Sequence, residues 1–342
     1  MVKVTIIGAG SPVCKALLYG LSTGEVLGRD SSLNLVLYDD LVSWEKLQPL
    51  KEEILNAAFD VVEDVAETSD LDEALLNADI AILLNSAPRS VFTGDSTMAM
   101  NFITTLKNIG EAINRTAKKD VLVVVAGCPG LLNAWVCSQF APSVKRQNFT
   151  VVTMMDLNLA VSHVAAKLQV ATNNVHNMTV WGNSSMTLVP DADNAYIQMS
   201  NYTSTRIKDD LGDDHWLKDT FVSEVQKNWA TGQDPSEEWP LATAQACCQH
   251  LRCLWQCVPT EDNWTCLGVA SDGSYDVPNG IFSSFPVSVP KRNRWAIVKD
   301  VPISMFVKLK LRDSVEEMKQ EQKIIYDICK PSENLKISSL NI

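Results

Sequence analysis

The first residues with the means to do chemistry are two glycines near the start of the chain. The run VKVTIIGAG (2–10) places Gly8 and Gly10 directly after a continuous apolar stretch. Glycines there let backbone approach a pyrophosphate, which the free N–H groups of a following helix then hold. Asp39 lies at the end of a second apolar stretch, LNLVLYDD (33–40), where a carboxylate accepts hydrogen bonds from ribose hydroxyls and repels a 2′-phosphate. Pro12 suits the first turn of a helix, which needs no N–H at that place. Residue 13 is Val where the third small residue of a G-x-G-x-x-G pattern would stand, so the match is partial. Two readings stand side by side: a lobe that holds a dinucleotide, and a lobe of that fold that no longer does.

A second cluster could bind metal. ACCQHLRCLWQC (246–257) brings Cys247, Cys248, Cys253 and Cys257 together with His250. Zinc sites combine closely spaced cysteine pairs with distant partners, and none of the nine cysteines forms a C-x-x-C pair. The stretch reads instead as an Ala-rich core helix with buried thiols, and no metal site is expected.

Positioning these groups requires a sheet and its helices. VKVTIIGAG, LNLVLYDD, ADIAILLNS (78–86) and KDVLVVVAGCPG (119–130) are four continuous apolar strands. Such strands separated by helical patterns predict a parallel sheet covered on both faces. With a glycine turn after the first strand, the fold is α/β: a Rossmann-type doubly wound sheet over 1–155. The texture changes after that. Helices are expected over 156–171, 215–230, 240–257 and 312–330, with strands at 263–270, 285–290 and 294–299 and a hairpin around NMTVWGN. These give an α+β substrate domain over 156–330, followed by a tail over 331–342.

The formal net charge of −12 and the absence of a basic stripe argue against a nucleic-acid partner. No apolar run reaches the roughly 20 residues of a membrane span. The N-terminus enters a buried-strand pattern at once, without a signal or transit pattern, which predicts a cytoplasmic protein.

Several longer stretches resemble the cytosolic type of NAD-dependent malate dehydrogenase, within the lactate/malate dehydrogenase superfamily. They are WGNSSMTLVPD (181–191), DDHWLKDTFVSEVQ (213–226) and ASDGSYDVPNGIFSSFPV (270–287). SAPRSVFTGD (86–95) and AGCPGLLN (126–133) fall where that family has its substrate loop and the turn after its fourth strand. The resemblance runs from about residue 3 to 329. It implies NAD as cofactor, a small 2-oxo or 2-hydroxy acid as substrate, and a homodimer.

Carried over residue by residue, the resemblance leaves most of the chemistry behind. The family's catalytic histidine falls on Ser184, while the aspartate that orients it is retained as Asp156. Of three substrate arginines, Arg89 is retained and the others fall on Asp95 and Leu159. The asparagine beside the nicotinamide falls on Cys128. On the cofactor side Gly8 and Asp39 match, the second glycine of the turn falls on Ser11 with Gly10 beside it, and a further glycine falls on Asn85. None of the four histidines replaces the lost one: His163 is seven residues beyond Asp156 on the same helix, about 10 Å along the axis.

The resemblance with these losses implies a pseudoenzyme, a malate-dehydrogenase-like NAD-binding or scaffold module with an unnamed protein partner. The alternative is an active NAD-dependent oxidoreductase that acts on malate, oxaloacetate or another 2-hydroxy or 2-oxo acid through a non-standard site. Arg89 and Asp95 are expected to pair across the substrate loop.

Overall fold

The computed structural model describes residues 1–41, 44–87, 96–200, 203–230, 238–260 and 262–329. Arg89, Asp95, their expected pairing and the 331–342 tail lie outside these residues. Six strands run parallel: β1 (Val2–Ile7), β2 (Leu33–Tyr38), β3 (Val62–Thr68), β4 (Ile80–Leu83), β5 (Leu122–Val125) and β6 (Phe149–Val151). Their spatial order is β3-β2-β1-β4-β5-β6, the doubly wound arrangement whose ligands sit beyond the carboxyl ends of the strands where the order reverses. β4 and β5 are buried along their whole length, which is why they read as unbroken apolar runs. The helices between these strands are α1 (Pro12–Ser22), α2 (Leu47–Asn56), α3 (Leu71–Leu75), α4 (Ser96–Thr116) and α5 (Gly130–Gln139).

The chain continues through α6 (Met154–Leu168), β7 (Val175–His176), β8 (Thr179–Trp181), β9 (Val189–Asp191), β10 (Tyr196–Ser200) and β11 (Thr203–Arg206). Then come α7 (Ile207–Leu211), α8 (Asp214–Lys218), α9 (Thr220–Ala230) and α10 (Pro240–Gln256). It closes with β12 (Thr265–Ala270), β13 (Phe282–Lys291), β14 (Arg294–Ile297) and the long α11 (Met305–Cys329). β12 pairs antiparallel with β6 through Gly268 and Val151. β12, β13 and β14 therefore extend the parallel sheet to nine strands, and the sheet is continuous across residue 155. A second core lies between α6, β8 and α9, built from Leu157, Val164, Val180, Leu188 and Phe221.

Four features differ from the sequence expectation. β3 has no counterpart in it, because VEDVAET carries three carboxylates on an edge strand, where solvent and charge are tolerated. β6 has no counterpart in it either, being only three residues long. The helix expected over 215–230 breaks at Asp219 (φ −121°, ψ −76°) into α8 and α9. Helix α11 starts at Met305, seven residues before the charged pattern that announces it.

The loop that follows β8 is held from three sides. Trp181 is fully buried, and its Nε1–H donates to Asp191 Oδ2 at 3.0 Å. Gly182 has φ +84°, and a Cβ there would collide with Ser314 of α11, so only glycine fits. The Asn183 backbone N–H donates to Ser314 Oγ at 2.7 Å, and its amide donates to Glu317 at 2.9 Å. Thr187 Oγ1 donates to the same Glu317 carboxylate at 2.6 Å. Helix α11 thereby fixes the backbone that presents Ser184, independently of the residue presented.

Burial raises the Asp191 carboxyl to about 6, against the opposing hydrogen bonds from the Asp193 backbone and Trp181. Between about pH 4 and 6 the folded chain keeps a proton that the unfolded chain has released, so stability falls as pH rises through this window. Asp191→Asn should flatten that part of the melting-temperature profile, as thermal denaturation between pH 4 and 7 would show.

Candidate active site

Asp156 occupies the first turn of α6, where a carboxylate is favoured by the helix dipole. It is 3% exposed. A carboxyl group so far from water needs hydrogen-bond partners, and two come from remote parts of the chain. Ser184 Oγ donates to Asp156 Oδ2 at 2.8 Å, and Trp229 Nε1–H of α9 donates to Oδ1 at 2.9 Å. The structure therefore brings Asp156 and Ser184 together. Trp229 is an addition: it looks like an ordinary helix residue, and only the folding of α9 against α6 turns its indole inward. Both donors are neutral groups that do not titrate near pH 7. They can orient and hold a carboxylate, whereas general acid catalysis needs a proton released near the working pH.

The other expected positions among the described residues have partners of their own. Leu159, one turn further along α6, packs against the second core. Cys128 is buried, and its backbone N–H donates to Ser86 Oγ at 2.9 Å. Asn133 braces the same turn by donating to Gly127 O at 3.1 Å. His250 is fully buried in α10, with Nε2 2.8 Å from Thr150 Oγ1, and burial pushes it down to about 3. His176 stacks on Tyr196 with ring centroids 5.2 Å apart. Cys247 and Cys248 are buried thiols on α10, while Cys253 and Cys257 are partly exposed.

The nucleotide-type residues also converge. Gly8 has φ +82°, and a Cβ on it would come within 3.2 Å of Asn85 N, so β4 abuts the turn after β1. Asp39 Oδ2 accepts from Gly10 N–H at 2.6 Å, and Oδ1 accepts from Asp40 N–H at 2.9 Å. Ser11 is the N-cap of α1. Beyond the ends of β2, β3 and β4 lies a cleft of about 420 Å³, lined by Tyr38, Asp39, Asp70, Asn85 and Glu111 among others. Asn85 Oδ1 is buried and finds no donor among the described residues. A ribose suits this end of the cleft, since the Asp39 carboxylate lines it and can accept from its hydroxyls. A larger groove of about 1360 Å³ runs along α11 and contains none of these residues.

Comparison with known proteins places this geometry. Residues 2–150 match the lactate/malate dehydrogenase NAD binding domain, and residues 153–327 match the lactate/malate dehydrogenase alpha/beta C-terminal domain. NAD is the cofactor of the domain type to which residues 2–150 belong. The cytoplasmic malate dehydrogenase of Homo sapiens is 33% identical over 328 residues, which covers 95% of this chain and 97% of the relative. Malate dehydrogenase 3, cytoplasmic, of Arabidopsis thaliana is 32% identical, with 95% of each chain covered. Among solved structures, malate dehydrogenase from Naegleria fowleri superposes with a TM-score of 0.85 at 27% identity, covering 96% of this chain and 98% of that one. Trichomonas vaginalis lactate dehydrogenase in complex with NADH and oxamate gives 0.86 at 25% identity, covering 97% of this chain and all of the other. With both halves matched in order and nearly the whole length covered, the chain belongs to the lactate/malate dehydrogenase family.

Proposed function

We propose that this chain is a malate-dehydrogenase-type protein in which the family's proton transfer has been replaced by a structural contact, and that it works as a cytoplasmic binding or scaffold module. One observation carries the reading: the carboxylate at Asp156 is held by a serine hydroxyl and an indole N–H, with no histidine between them. A positioned proton donor contributes about 10²–10⁴ in rate. Each charge-assisted clamp on a substrate carboxylate contributes about 1.5–3 kcal/mol, and two of the three clamp positions here are Leu159 and Asp95. The losses together reach about 10⁴ or more. Asp95 adds repulsion toward a dicarboxylate.

The test is turnover of oxaloacetate with NADH, followed by absorbance of the reduced cofactor, alongside a panel of neutral and monoacid carbonyl compounds. Rates at least about 10⁴ below those of an authentic malate dehydrogenase on oxaloacetate are expected, with no substrate in the panel. Turnover on any member at an ordinary enzymatic rate, about 1 s⁻¹ or more, would contradict the proposal in favour of an oxidoreductase with a non-standard site.

A homodimer belongs to the same proposal. An apolar groove of about 540 Å³ lies between α1, α2 and the start of α10. Its rim exposes Tyr19 (63%) and Leu241 (73%), and an apolar surface of this kind is best covered by a partner. A second copy of this chain is the proposed occupant. Tyr19→Asp with Leu241→Asp should convert a dimer to a monomer in sedimentation equilibrium; a wild-type chain that is already monomeric at micromolar concentration would contradict it.

A further inference from the structure

We infer that the turn between β1 and α1 offers no free backbone N–H to a diphosphate, and that the cleft beside it takes a nucleoside through its ribose. The inference deepens the proposal of a binding module and rests on it. It follows from the partner of every backbone N–H in the turn. A phosphate at a helix N-terminus is held by N–H groups that have no partner within the helix. Here Gly8 and Ala9 N–H both donate to Tyr38 O at 3.0 Å. Gly10 N–H donates to Asp39 Oδ2 at 2.6 Å, and Ser11 N–H to Gly8 O at 3.0 Å. Residue 12 is proline and has no N–H. Val13 N–H is capped by Ser11 Oγ at 3.3 Å, and Cys14 N–H bonds Ser11 O at 3.0 Å. From residue 8 to residue 14, each N–H is either absent or directed inward.

Charge points the same way. The lining of the neighbouring cleft includes five carboxylates, Asp39, Asp40, Asp70, Asp72 and Glu111, against one guanidinium, Arg115. Arg115 is itself paired with Asp72 at 2.7 Å. Such a field opposes a diphosphate and does not oppose an uncharged nucleoside. The acceptors for a ribose remain available. Each Asp39 oxygen accepts from one backbone donor, a carboxylate oxygen can accept from two, and Asp39 lines the cleft. The residues here thus fit one end of an NAD and not its middle. Ser11 and Pro12 set that preference: the first caps the helix with its own hydroxyl and the second removes a donor.

Calorimetric titration of the full chain with adenosine, 2′,3′-dideoxyadenosine and ADP-ribose tests this without reading turnover, so its outcome is independent of the oxaloacetate assay. Adenosine and ADP-ribose should bind with affinities within about threefold of each other, because the tenfold or more that a charge-assisted hydrogen bond contributes is missing. The dideoxy compound should not bind. Ser11→Gly with Pro12→Gln, which restores a donor at residue 12 and uncaps Val13, should tighten ADP-ribose about tenfold or more and leave adenosine unchanged. Wild-type binding of ADP-ribose more than about tenfold tighter than adenosine would overturn the inference. So would failure of both compounds to bind, or equal binding of the dideoxy compound.

Discussion

The site depends on one buried carboxyl group. Asp156 is removed from water at the start of α6, and a carboxyl group in that position is tolerable only if hydrogen-bond partners reach it. Two of them, Ser184 and Trp229, lie 28 and 73 residues further along the chain, on the loop after β8 and on α9. The one carboxylate therefore ties three elements of the C-terminal half to each other. The family resemblance implies an aspartate at this position that orients a histidine. A hydroxyl and an indole N–H give the carboxylate equivalent hydrogen bonds without supplying a proton. On the proposed reading, the architectural part of the contact is retained and the chemical part is not.

The loop bearing Ser184 does not rely on that residue's chemistry. Trp181 is anchored to Asp191, Gly182 lies against Ser314, and Asn183 and Thr187 are held by Glu317. Such a frame persists whatever stands at position 184, because α11 and the second core determine its path. The turn after β1 follows the same logic. Its N–H groups are satisfied within the fold, so its stability requires no ligand.

Most of the parallel sheet is legible in the sequence because β4 and β5 are buried and apolar along their whole length and β1 and β2 are largely so. β3 is hidden for the opposite reason: as an edge strand it carries Glu63, Asp64 and Glu67. Continuity of the sheet into β12 depends on the close approach of Gly268 to Val151, a tertiary fact that no periodicity announces. At the site, Asp156 and Ser184 can be paired from family resemblance alone. Trp229 cannot, because its role arises only from the packing of α9 on α6. The inward-turned N–H groups of residues 8–14 are equally hidden, although Pro12 and the capping residue Ser11 are in plain view.

Equilibrium denaturation of the wild-type chain, Ser184→Ala, Trp229→Phe and the double variant tests most directly whether Asp156 is a structural pin. Each single substitution takes one donor from a buried carboxylate. Each should cost about 1–3 kcal/mol, and the double variant more than either. Single variants both as stable as the wild type to within about 0.5 kcal/mol would contradict this, because the contact at Asp156 would then have no structural role.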